Sequence, residues 1–183
     1  MADGSHRLPT LVVVSGPPGS GKTTLAHALA DAIGCPAICR DEIKEGMVHA
    51  IPDFAPGPQD ELNLRTLPVF FETLELLLRA GVTVVAEAAF QDRLWRPGLT
   101  LLQSHARLRI VHCAVDPVLA ADRAAQRRRA DPRRRAHSDP DHPNPAPAAF
   151  ERIALDAPSL EVDTTSTYHP ALPEILAFIN APS

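Results

Sequence analysis

The run Gly16-Pro17-Pro18-Gly19-Ser20-Gly21-Lys22-Thr23 constrains this chain more than any other feature. It matches the phosphate-binding pattern G-x-x-x-x-G-K-[S/T] at every defined position. The flanks agree with it. Leu11-Val12-Val13-Val14 reads as a buried strand, and Thr24 to Ile33 reads as an amphipathic helix stopped by Gly34. A simple Gly/Pro turn would account for the glycines, but not for the lysine, the hydroxyl and both flanks together. Glycines let consecutive backbone N–H groups turn inward around a phosphate, and the helix N-terminus adds partial positive charge. Lys22 is therefore expected to reach the β- and γ-phosphates of a nucleotide, and the Thr23 hydroxyl to join a Mg²⁺ shell. The expected nucleotide-binding set is Gly16, Pro17, Pro18, Gly19, Ser20, Gly21, Lys22, Thr23 and Thr24.

Strand and helix signals alternate along the rest of the chain. Pro36 to Cys39 reads as a short strand ending at Arg40-Asp41, with a helix starting near Asp41. Pro52 to Pro58 is a proline-rich break. Gln59 to Ala80 carries apolar residues at helical spacing and stops at Gly81, with Pro68 expected to kink or split it. Val82 to Ala86 is a buried strand, Trp95 to His105 a helix opened by Pro97, and Leu108 to Cys113 the next strand. Asp116-Pro117 opens a further helix as N-cap and first helical residue. Ala130 to Pro147 reads as a loop, Ala148 to Leu155 as a candidate helix, Leu160 to Asp163 as a last strand and Pro170 to Asn180 as a closing helix. This alternation implies an α/β fold, a parallel sheet with helices on both faces, whose ligands bind beyond the carboxyl ends of the strands.

Bulk properties narrow the function. A chain of 183 residues suits a single domain. No apolar run is long enough to span a membrane, and residues 1–7 lack the apolar core of a secretory signal. The cytoplasm is the expected compartment. The net charge of −4 argues against a nucleic-acid magnet, although Arg123, Arg127, Arg128, Arg129 and Arg133 to Arg135 crowd one stretch. Cys35, Cys39 and Cys113 are too few and wrongly spaced for a zinc ribbon or a disulfide framework, so they are expected as buried reduced thiols. His137, Ser138, Asp139, Asp141 and His142 lie in a Pro-rich stretch without the rigidity a metal site needs, and read as hinge and cover.

The motif Gly16–Thr23, the strand end Cys39-Arg40-Asp41-Glu42, Glu87 after the third strand, and Arg123/Arg127 in a late helix follow one order. In that order the chain resembles small AAA-type P-loop kinases that phosphorylate hydroxyl groups, above all the chloramphenicol phosphotransferase-like and polynucleotide 5'-kinase-like enzymes. The resemblance covers most of the chain, and only its first motif is highly specific. It implies a three-layer P-loop NTPase fold with five parallel strands in the order 2-3-1-4-5 and an Arg-rich lid over residues 130–147.

It also implies roles. Asp41 would be the general base that accepts the acceptor's hydroxyl proton; capping the following helix is the alternative, compatible with the first. Arg40 beside it matches the Arg-Asp pair of the polynucleotide-kinase-like group. Glu42 and Glu45 read as solvated. Glu87 stands where P-loop proteins hold a Mg²⁺-binding carboxylate, usually Asp. Orienting the substrate, or pairing with an arginine in the interior, are its open alternatives. Phe90 would wall the acceptor pocket. Arg127 first, then Arg123, would close over ATP and stabilise charge on the transferred group. Asp163-Thr164-Thr165 would lie near the adenine. Trp95 and Tyr168 read as packing residues.

The expected function is ATP- and Mg²⁺-dependent transfer of the γ-phosphoryl group to a hydroxyl of a small molecule. Phe54, Leu62, Leu64, Phe70 and Phe71, with Asn63 and Arg65, suggest a partly apolar acceptor such as an antibiotic, a natural product or a metabolite. A polynucleotide or nucleotide kinase is the first rival, and an NTP-hydrolysing switch or regulatory module the second. The expected partner is thus a small-molecule acceptor, ahead of nucleic acid and with no membrane, for a monomer or homodimer.

Overall fold

The computed structural model describes residues 7–52, 54, 61–130 and 150–182, the side chains of 127–130 excepted. Five strands, β1 (Thr10–Ser15), β2 (Ala37–Cys39), β3 (Val84–Ala88), β4 (Arg107–Ala114) and β5 (Ser159–Asp163), form one sheet in the order β2-β3-β1-β4-β5. Every pairing is parallel, as the alternating pattern and the resemblance led us to expect. The helices are α1 (Lys22–Ile33), α2 (Arg40–His49), α3 (Glu61–Arg79), α4 (Asp92–Leu102), α5 (Pro117–Ala130) and α6 (Leu172–Asn180).

Side-chain alternation along the central strand divides the core. Leu11 and Val13 join α3 and α4 residues such as Phe70, Leu74, Trp95 and Leu99 on one face. Val12 and Val14 join Leu25 and Leu29 of α1 and Ile175 and Ile179 of α6 on the other. Arg109, almost fully buried on β4, donates to the Phe178 and Ala181 carbonyls at 3.3 and 2.5 Å and so caps the C-terminal end of α6.

Three local expectations are corrected. The helix expected from Trp95 starts at Asp92, and Pro97 lies inside it rather than in its first turn. Helix α3 runs unbroken through Pro68. Each proline removes one N–H, and both prolines and the carbonyls they leave without a helical donor, those of Leu64 and Arg93, belong to exposed residues. Finally, residues 150–155 form no helix. Their N–H groups go instead to the start of α4: Glu151 donates to Gln91 Oε1 at 2.5 Å and Ala154 to Asp92 Oδ1 at 2.8 Å. Ile153 then packs into the α3/α4 core, so this segment straps across the sheet.

Candidate nucleotide and acceptor site

The loop between β1 and α1 is fixed by close approach. A side chain at Gly16 would sit 2.7 Å from the Cys113 carbonyl oxygen and 2.8 Å from Ser20 Oγ. Gly19, at φ +82°, would drive a Cβ into the backbone of Ala120 in α5. Only glycine meets both conditions at position 19, the left-handed backbone and the contact. The loop is tied from outside by Thr164, just beyond β5. Its hydroxyl lies 2.7 Å from the Ser20 carbonyl and 3.0 Å from the Ala114 carbonyl, where it donates.

Glu87 completes this centre. In register it pairs with Val14 on β1 and Cys39 on β2. Alternation along β3 turns Ala86 and Ala88 to the α3/α4 core and Glu87 toward α1. There its carboxylate, buried to 3% exposure, accepts from Thr23 Oγ1 at 3.1 Å and lies 3.7 Å from Lys22 Nζ. Lys22 also donates to the Pro17 carbonyl at 3.3 Å, folding its ammonium over the loop. Burial, then Glu87 and Glu42, push Cys39 well above the ordinary thiol range, and burial pushes Cys113 up to about 12.

Arg40 and Asp41 occupy the first turn of α2, directly after β2 and next to Glu87 in the sheet order. The Arg40 guanidinium donates to Asp41 Oδ1 at 3.1 Å and to Asn63 Oδ1 of α3 at 2.7 Å, which sets the Asp41 carboxylate against a fixed cation. Glu42 is exposed, as expected, and also bonds His27 of α1 at 2.7 Å.

Elsewhere the expected residues are redistributed. Phe90, Leu62 and Phe70 are core residues, with the Phe90 ring packed against Phe70, Phe71 and Trp95 at 5.3–6.3 Å between centroids. Leu64 is exposed. Trp95 is buried and Tyr168 packs on the α1/α6 face, as expected of packing residues. Arg123 donates to the Thr164 and Thr165 carbonyls at 3.0 and 2.7 Å, joining α5 to the end of β5. The Arg127 side chain, Arg128, Arg129, and the whole of 131–149 with Arg133 to Arg135, His137 and His142 lie outside the described residues.

The sequence reading missed a recess of about 200 Å³ between Gly16 and Pro17 of the loop, His112 on β4, Phe150 and Arg152. His112 is nearly buried, its Nδ1 finds no partner among the described residues, and burial followed by the nearby Arg152 holds it below its ordinary value. Arg152 pairs with Glu161 of β5. No local pattern marks this pair: His112 lies in a strand, and Arg152 falls in the stretch Ala148 to Leu155 that reads as a helix.

Residues 11–142 match the model of the AAA_33 family, described as an AAA domain, and the chain belongs to that family. A comparison with curated protein sequences finds no match. Among solved structures, a candidate kinase from Chloroflexus aurantiacus J-10-fl superposes with a TM-score of 0.77 at 23% identity, covering 94% of this chain and 96% of its own. The APS kinase of Mycobacterium tuberculosis, solved with AMPPNP and APS, gives 0.68 at 15% identity, covering 96% and 99%. A gluconokinase from Sinorhizobium meliloti 1021 gives 0.57 at 20% identity, covering 94% and 93%. These likenesses establish the P-loop α/β fold. Among the described residues no helix is long and apolar enough to cross a membrane.

Proposed function

We propose that this protein is an ATP- and Mg²⁺-dependent kinase that transfers the γ-phosphoryl group to a hydroxyl of a small molecule, with all the folded elements acting as one kinase domain. The observation that carries the reading is the convergence of Lys22, Thr23 and Glu87 at the carboxyl ends of β1 and β3, with Asp41 on the adjoining turn. The structural neighbours support it, since those named as kinases share the fold across nearly the whole chain.

Each residue then has a task. The loop N–H groups and the α1 N-terminus hold the phosphates. Lys22 swings from Pro17 and Glu87 onto the β- and γ-phosphates, a short move for a flexible stem. Thr23 and Glu87 offer two hard oxygen donors 3.1 Å apart, a set that fits Mg²⁺. When bound there, the ion would supply positive charge that neutralises the phosphate oxygens. Asp41 accepts the acceptor's hydroxyl proton on its carboxylate, which Arg40 orients. Arg123 would hold the edge of the nucleotide site by fixing Thr164 and Thr165, and Arg127 would add positive charge over the phosphates.

Two surfaces bear on the acceptor: Arg40, Asp41 and Asn63 hold one another on the β2 side, and the recess beside the loop joins the apolar Pro17, Val115 and Phe150 to His112 and Arg152. Leu62, Phe70 and Phe90 are committed to the core, so a partly apolar small molecule with polar handles would meet the recess and the Arg40/Asp41/Asn63 rim instead of those side chains. A screen of ADP release with ATP and Mg²⁺ over sugars, nucleosides, hydroxylated antibiotics and 5'-hydroxyl oligonucleotides, with mass detection of the phosphorylated product, tests the reading. Acceptor-dependent release with a phosphorylated small molecule is expected. ATP hydrolysis indifferent to every acceptor would move the protein to the switch class, and a phosphorylated oligonucleotide to the polynucleotide kinases.

A further inference from the structure

His27, Cys39 and Glu42 come from α1, the end of β2 and α2, and their ligand atoms all lie within 4.8 Å of one another. We propose that they form a binding site for a thiophilic divalent cation such as Zn²⁺, separate from the Thr23/Glu87 pair. The proposal stands independently of the kinase reading.

The geometry fits. Cys39 Sγ is 3.7 Å from His27 Nε2, close to the edge of about 3.6 Å that zinc–sulfur and zinc–nitrogen bonds of about 2.3 and 2.05 Å subtend at a tetrahedral ion. His27 Nε2 and Glu42 Oε1 are 2.7 Å apart, a hydrogen bond that must widen to about 3.3 Å around an ion. Both side chains are about half exposed, at 47% and 48%, so they can open and leave a fourth position to water. The buried thiol forms the floor of the site, and the carboxylates of Glu87, Glu42 and Asp41 near it favour a cation. A sulfur, an imidazole and one carboxylate select a borderline-soft ion over Mg²⁺.

Binding balances as a proton exchange. Neutral His27 offers the Nε2 lone pair, Glu42 its carboxylate, and Cys39 becomes a thiolate and releases its proton to solvent.

The test titrates the full-length protein with Zn²⁺ against a chromophoric chelator, and with Co²⁺ for the thiolate-to-metal charge-transfer band. One equivalent per chain and the band are expected. Cys39→Ser and His27→Gln should each weaken Zn²⁺ by about 100-fold or more, at or beyond the upper end of what outer-shell changes cost. Cys35→Ser and the double variant His137→Ala/His142→Ala should bind like wild type, with circular dichroism confirming folding of all four proteins. Unchanged affinity in Cys39→Ser, no charge-transfer band, or loss confined to the His137/His142 variant would overturn the site.

Discussion

Lys22, Thr23 and Glu87 sit in or against the sheet, held between β1, β3 and the start of α1, and Lys22 and Glu87 are more than nine-tenths buried. Arg40, Asp41 and Glu42 stand on the first turn of α2 behind a strand of three residues, and Asp41 is 39% exposed. The first region is specified by backbone: glycine conformations, a strand register and carbonyls tied by Thr164. The second is specified by side chains that hold one another, Arg40 to Asp41 and Asn63, Glu42 to His27. A cradle for an invariant group such as a triphosphate gains from rigidity. On the proposed reading the second region meets a variable acceptor, and only its proton acceptor, Asp41, has to be fixed.

Separating these regions by substitution breaks or sharpens the contrast. Lys22→Ala should act most strongly, lowering kcat/KM by about 10²–10³-fold with every acceptor, as loss of a charge-stabilising donor does. Asp41→Asn should lower kcat by about 10²-fold while leaving ATP affinity near wild type. Equal loss of ATP affinity in both variants would erase the distinction between cradle and rim. Thr164→Val removes the hydroxyl that ties Ser20 and Ala114, and should cost about 1–2 kcal/mol in urea unfolding. No change there would show that the loop holds itself.

The smallest effect concerns His112. Its folded pKa lies below the ordinary 6.5 because burial disfavours the imidazolium. The unfolded chain therefore binds the proton more readily, and His112 favours the fold above the unfolded pKa and loses that contribution as pH falls from there through the lower folded pKa. His112→Gln should flatten the decline in the urea midpoint below about pH 6.5; an unchanged decline would assign it to other groups.

How far the sequence discloses all this follows the same contrast. The Gly16–Thr23 loop is local, so its spacing alone reveals it, and the Val-rich runs that flank turns reveal the strands. The strand order came from resemblance, since no local pattern says that β3 lies between β1 and β2. The residues that went astray are those whose partners are distant in sequence. Phe150 and Ile153 are spaced as a helix would space them, yet their segment is held by Gln91 and Asp92 about sixty positions earlier. Phe90 looked like a pocket wall beside Glu87, and its ring is claimed by Phe70, Phe71 and Trp95. Glu42 is solvated as its position suggested, and only its bond to His27, on another helix, escaped the sequence.

The most direct measurement follows the γ-phosphoryl group itself. ATP labelled at that group is incubated with Mg²⁺ and the best acceptor from the screen, using wild type and Asp41→Asn, and the label is partitioned between acceptor and inorganic phosphate. Label in the acceptor's hydroxyl with wild type, and about 10²-fold slower transfer at unchanged ATP affinity with Asp41→Asn, is the predicted result. Label appearing only as inorganic phosphate, at a rate no acceptor alters, would contradict the account.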